Sequence, residues 1–282
     1  MLRLKLLTST IVVPTLLLVL YFGGWPLFLY SAGFMLVAMW EFYDALPSRG
    51  VVTVRWAGWL AGLGILGATQ WATDEWRSGI IMACIAGVVF AALIAQFWRP
   101  ANTSVIGNVG ATVFGVVYIS LLFSFFLRLR LLPLGGLPGI PIDGVRDRMG
   151  VVLLVLAAVW ALDTTANIVG RYFGTKKPWP NISPNKTWEG CLAGLLASMV
   201  ATLVGGEICH LPTLHMLALG ALIGVIAQLG DFCESLIKRD LGLKDFGAAL
   251  PGHGGVLDRF DSLVFAMPVA YLYLFFLIRS LQ

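Results

Sequence analysis

GVVLLVLAAVWALDTTANIVG, Gly150 to Gly170, runs for twenty-one residues in which Asp163 alone carries a charge. At about 1.5 Å of rise per residue, a helix of some 20 apolar residues crosses the ~30 Å hydrocarbon layer of a bilayer. The stretch therefore reads as a membrane span, and the rest of the chain repeats it. Apolar runs of the same scale lie near Leu6–Phe22, Trp25–Leu46, Val54–Trp71, Gly79–Trp98, Gly107–Leu127, Gly190–Ile208, Thr213–Lys238 and Ser262–Ile278, giving about nine candidates. Composition agrees. The 282 residues are 59% hydrophobic and 12% charged, where a soluble domain carries roughly 25% charged residues. The expected fold is all-α, a polytopic integral membrane protein.

Charge divides the chain. Nine of the fifteen acidic residues fall between Asp163 and Asp261, so residues 1–149 read as a membrane scaffold of five spans with an external loop, and 150–282 as the region that carries chemistry. With the N-terminus in the cytoplasm, thirteen Lys and Arg fall on the cytoplasmic side and six on the other. The positive-inside rule favours that orientation. It places both charged segments, Arg171–Glu189 and Lys238–Asp261, at the cytoplasmic face of the inner membrane. The first run follows Arg3 and Lys5 without a small-x-small cleavage site, and so reads as a retained span. A net charge of +4 is no sign of nucleic-acid binding, because basic residues flanking spans produce it. Cys84, Cys191, Cys209 and Cys233 show no paired spacing and are expected to be buried, inert thiols. Trp25, Trp56, Trp71, Trp76, Trp98, Trp179 and Trp188 fall near span ends, as interfacial anchors do.

Polar residues concentrate in two places. RYFGTKKPWPNISPNKTWEG, Arg171 to Gly190, connects two spans, and its Ser183-Pro184 pair suggests the start of a helix whose free N–H groups would suit phosphate beside Lys186. QLGDFCESLIKRDLGLKDFGAALPGHGGVLDRFD, Gln228 to Asp261, holds six carboxylates and four cations at the edge of an oily chain, a costly gathering unless the groups are paired, solvated or bound to an ion. On a helix Asp231, Glu234, Ser235 and Lys238 share one face. Asp258 and Asp261 are also three apart, after glycines that would let backbone approach an oxyanion. His253 would donate to a phosphate or cap the turn. No Walker loop or dinucleotide fingerprint is present. Asp163 would serve function or simply bond to neighbouring Thr and Asn side chains.

Ser235 to Asp261 resembles, along its whole length, the signature of the bacterial CDP-diacylglycerol synthases, or phosphatidate cytidylyltransferases. DTTANIVGRYFG, SPNKTWEG and QLGDFCES are similar to that family's other blocks, in the usual order, with Asn167 where the family commonly has Tyr. The resemblance implies transfer of a cytidylyl group from CTP to phosphatidic acid with release of pyrophosphate, dependent on Mg2+ with a monovalent ion such as K+ as a second cation, in a homodimer. Carried over by position, Asp231, Asp258 and Asp261 would be the metal carboxylates and, with Lys186, the catalytic set. Ser183, Lys238, Arg239, Lys244, His253 and Arg259 would bind substrate. The charge fits, since one lysine cannot offset the repulsion between a lipid phosphate and a triphosphate. From another class, an ion-coupled transporter of an anionic substrate would use Asp163 at mid-membrane.

Overall fold

The computed structural model describes residues 2–100, 104–132, 145–247 and 254–281, without the side chains of residues 2–9, 11, 145–148 and 280–281. Among the described residues the regular structure is helical, with no β-strand: α1 (Leu2–Phe22), α2 (Gly24–Ala45), α3 (Arg55–Trp71), α4 (Asp74–Ile94), α5 (Val105–Gly115), α6 (Leu122–Leu131), α7 (Val145–Phe173), α8 (Trp188–Ile208), α9 (Thr213–Leu241) and α10 (Leu257–Leu281). A π-helical turn, Val116–Leu121, joins α5 to α6 as one rod. Every apolar run read from the sequence is helical. Seven helices are long and apolar enough to cross a membrane, while α3, with 17 residues, and the apolar Val12–Phe22 part of α1 are shorter. The chain is a polytopic all-α integral membrane protein.

The helices gather in two compact units that do not follow chain order. The first comprises Met1–Arg128 with Asp240–Phe260, and the second Leu129–Arg239 with Asp261–Gln282. The boundary expected at residues 149/150 divides roles along the chain; compactness divides it differently, because the signature turn groups with the N-terminal helices.

In the first unit Tyr43 is fully buried and its hydroxyl donates to the Thr112 carbonyl at 2.8 Å. Its ring lies against Gly58 of α3 and Gly115 of α5, where any Cβ would collide. Two polar residues of α5 serve the connection after α2: Asn108 Oδ1 accepts from the Val52 N–H at 2.7 Å, and Thr112 Oγ1 from the Val54 N–H at 3.1 Å. Backbone groups that leave a helix inside a bilayer protein must find such partners.

The second unit is built on close backbones. A Cβ on Gly190 would sit 2.6 Å from the Ala166 carbonyl oxygen, and one on Gly194 3.0 Å from that of Leu162, so glycines let α7 and α8 touch. Ser198 of α8 donates to the Gly220 carbonyl of α9 at 2.7 Å. On the other side of α8, Leu192, Leu196, Val200, Val204 and Ile208 form an exposed stripe with a four-residue repeat.

Two expectations need correction. The helix after the 174–187 connection starts at Trp188, not at Ser183-Pro184: Thr187 is the N-cap, its Oγ1 accepting from the Gly190 N–H at 3.2 Å, and Ser183 lies in a turn whose carbonyl accepts from Lys186. The cause is local chemistry, because the Trp188 N–H is already taken by the Lys176 carbonyl at 2.8 Å and Glu189 accepts from Thr175 and Lys176. The four cysteines are free thiols but only half-buried. The seven tryptophans read as interfacial anchors are exposed, as such anchors would be, and Trp179 packs edge-on to Phe232, 4.7 Å between ring centroids.

Leucine at Gly190 is expected to force α7 and α8 apart, at a cost of about 1–3 kcal/mol. Thermal unfolding in detergent should show a lowered midpoint for Gly190→Leu and none for Gly67→Ala, whose Cβ would meet nothing within 4 Å.

Candidate functional site

α9 runs unbroken through Gln228–Leu241, so its 3.6-residue period sets Asp231, Glu234 and Lys238 on one face as the spacing predicts. α9 and α10 meet at Gly230, where a Cβ would be 2.8 Å from the Asp261 carbonyl oxygen and 2.9 Å from Phe265. This close approach brings Asp261 to that face. Asp231, Glu234 and Asp261 each offer a carboxylate oxygen within 4.8 Å of the others. Glu234 is completely buried and pairs with Lys238 at 3.2 Å. Lys186, from the 174–187 connection, reaches Asp231 at 2.5 Å and lies over the Phe232 ring, 4.0 Å from its centroid. Asp163 of α7 faces Ser262 and lies near enough to Asp261, Asp231 and Lys186 for their charges to act on it.

Counted formally, four carboxylates against two ammonium groups leave this cluster two negative charges in excess. Two carboxylates 4.8 Å apart repel by roughly 3.5 kcal/mol at an effective dielectric of 20. A single divalent cation would cancel both. An octahedral Mg2+ with oxygens near 2.1 Å needs neighbouring ligands about 3–4 Å apart, a modest contraction of the spacing present, and carboxylate oxygen is the donor such a hard ion selects. The residues therefore fit a Mg2+ site made by Asp231, Glu234 and Asp261.

Other residues expected at the site are placed differently. Lys238 is buried against Glu234, and Arg239 is exposed, with its Nε donating to the Ile182 carbonyl at 3.2 Å. Ser183 lies in the turn that precedes Lys186. Asp258 belongs to the first unit, where its Oδ2 accepts from the N–H groups of Phe246 at 2.9 Å and Gly255 at 3.0 Å. In the same unit Glu41 of α2 accepts from the Leu257 N–H at 3.0 Å. Carboxylates of the chain thus occupy backbone donors that the glycines were expected to offer to an oxyanion. Lys244 and Arg259 are exposed. His253 lies outside the described residues.

Sequence reasoning left Glu234 out of the metal set although its spacing to Asp231 showed it, and passed over Glu41. The signal for Glu41 was an acid inside the apolar run Trp25–Leu46.

The model of the cytidylyltransferase family matches residues 3–277. The chain belongs to that family. Its match runs through the N-terminal helices as well, Glu41 included. Among curated proteins the chain is 31% identical over 269 residues to the phosphatidate cytidylyltransferase of Staphylococcus haemolyticus, covering 95% of this chain and 96% of that one. It is 29% identical over 297 residues to the Synechocystis enzyme of the same name, covering 99% and 98%. Against the Bacillus subtilis phosphatidate cytidylyltransferase it is 37% identical over 174 residues, which span 60% of each chain. The chain is a membrane-embedded nucleotidyltransferase.

Removing one partner of the buried Glu234–Lys238 pair leaves a charge stranded in the bundle. Lys238→Met is expected to destabilise the protein by about 3–5 kcal/mol, and Lys238→Met/Glu234→Gln to recover most of that, measured as unfolding midpoints in detergent. Full additivity of the two changes would refute a coupled pair.

Proposed function

We propose that the protein transfers the cytidylyl group of CTP to phosphatidic acid at the cytoplasmic face of the membrane, giving CDP-diacylglycerol and pyrophosphate. An oxygen of the lipid phosphate bonds to the α-phosphorus of CTP, and the bond from that phosphorus to the bridging oxygen of the β-phosphate breaks. No proton has to be moved, because the nucleophile is already an anion. The difficulty is repulsion between two polyanions, so the side chains present have to gather positive charge and orient the reactants. Mg2+, when bound, would polarise phosphoryl oxygens and stabilise the departing pyrophosphate. Asp231, Glu234 and Asp261 would hold it, and a monovalent cation such as K+ would find Asp163 beside them. Lys186 sits on a connection rather than a helix, and on release from Asp231 its ammonium would turn to a phosphate. Glu234 keeps Lys238 fixed, so Lys238 tunes the site's charge instead of following substrate.

The observation that carries this reading is the gathering of Asp231, Glu234 and Asp261 within 4.8 Å of one another, with Lys186 on Asp231. The family and the names of its long-matching relatives supply the substrates, and the distribution of Lys and Arg supports the cytoplasmic face. A transporter would need a pathway across the membrane, and nothing in the family assignment supports one.

Purified protein in detergent, given labelled CTP, Mg2+ and phosphatidic acid, is expected to release pyrophosphate without any second compartment. Asp231→Asn and Asp261→Asn should each lower kcat about a thousandfold, the scale of a lost preorganised electrostatic contact, and EDTA should abolish turnover. Turnover at the wild-type rate in Asp231→Asn would overturn the assignment.

A further inference from the structure

We propose that Glu41, on the second helix, is a positioning residue for the reaction: its carboxylate holds the turn carrying Lys244, Asp258 and Arg259 in the shape that receives CTP. The proposal rests on the function argued above for its kinetic consequence, but its structural basis is independent. Glu41 is 1% exposed. Its Oε2 accepts from the Leu257 N–H at 3.0 Å, across 216 residues of sequence, and its Oε1 has no hydrogen-bond partner among the described residues. A buried carboxylate with a lone oxygen left over is a costly way to fill space. An apolar side chain would serve packing better. The expense makes sense where the charge shapes something, and here it shapes a turn.

The turn is moulded around the carboxylate. A Cβ on Gly247 would collide with Glu41 Oε1, and one on Gly255 would lie 2.8 Å from Oε2, so both positions have to be glycine for backbone to close on the acid. Of the turn's backbone donors, Gly255 and Phe246 go to Asp258 and Leu257 goes to Glu41. Two carboxylates thus fix three N–H groups. The neighbouring Phe42 completes the seat: Phe246 is buried, its ring centroid 6.1 Å from that of Phe42. Lys244 is exposed two residues before this anchor, and Arg259 exposed two residues after Leu257. Consecutive residues of α2, Glu41 and Phe42, therefore determine where the cations of the turn stand.

Glu41→Ala and Glu41→Gln separate positioning from simple packing, because glutamine keeps an oxygen for the Leu257 N–H. In Glu41→Ala, amide hydrogen exchange over 242–247 and 254–258 is expected to accelerate about tenfold or more, as for loss of one charged hydrogen bond, with α7 and α8 unchanged; Glu41→Gln should restore most of the protection. In the same alanine variant kcat/KM for CTP should fall about a hundredfold, the scale of an ångström's misplacement, with KM for phosphatidic acid unchanged. Unaltered exchange and kinetics, or exchange that rises equally in α7 and α8, would overturn the proposal. Should Glu41→Ala fail to fold, Gly247→Ala pushes a methyl group against the same carboxylate and carries the same expectations. If the wild-type protein itself makes no pyrophosphate, the functional reading falls, and the exchange data alone decide whether Glu41 holds the turn.

Discussion

Three carboxylates held within 4.8 Å of one another are the constraint around which the second unit is arranged. Like charges at that distance repel. The fold meets the cost in parts. Lys238 comes one helical turn after Glu234 and neutralises the most buried acid, while Lys186 arrives from outside the helices to lie on Asp231. Asp261 and Asp163 have no lysine of their own in this set. That remaining formal charge would favour a cation, and the cluster depends on Gly230, because any side chain there would hold α10 and its aspartate away.

The acids of the first unit behave otherwise. Asp258 and Glu41 accept from backbone N–H groups at the entrance to α10, where the helix dipole also favours negative charge. Carboxylates satisfied by backbone donors become structural parts, stiffening the segment they hold. Those that meet chiefly one another and ammonium groups keep their affinity for ions. Two residues three apart on one helix, Asp258 and Asp261, fall on opposite sides of this distinction.

Much of the architecture was legible in the sequence because lipid makes hydropathy nearly sufficient. Every apolar run became a helix, and the period of α9 alone set Asp231, Glu234 and Lys238 together. What escaped were contacts that no local pattern encodes. Glu41 and Leu257 are 216 residues apart, and an acid near the end of a span looks like any other interfacial residue. The start of α8 was misplaced for the opposite reason: Ser183-Pro184 is a strong local signal, and it lost to Thr187 once Lys176 and Glu189 fixed the connection from both ends. Lys238 stands one turn after a buried glutamate and pairs with it, a contact that its place near a charged turn does not reveal.

The partition of the chain follows from these contacts. Residues 1–149 read as scaffold because most of the acids lie after them, yet α2 reaches the signature turn with one buried acid and one aromatic ring, and the turn groups with those helices in a single compact unit. A turn rich in glycine is cheap to bend and costly to keep in one shape. Backbone hydrogen bonds of its own would fix it only by making it regular. Carboxylates supplied by Glu41 on α2 and Asp258 at the start of α10 hold its described ends, at Phe246, Gly255 and Leu257, with Lys244 and Arg259 exposed. The N-terminal half of the chain can therefore govern how a segment of the acid-rich half presents its groups, and the polar residues inside its apolar runs are where that control resides.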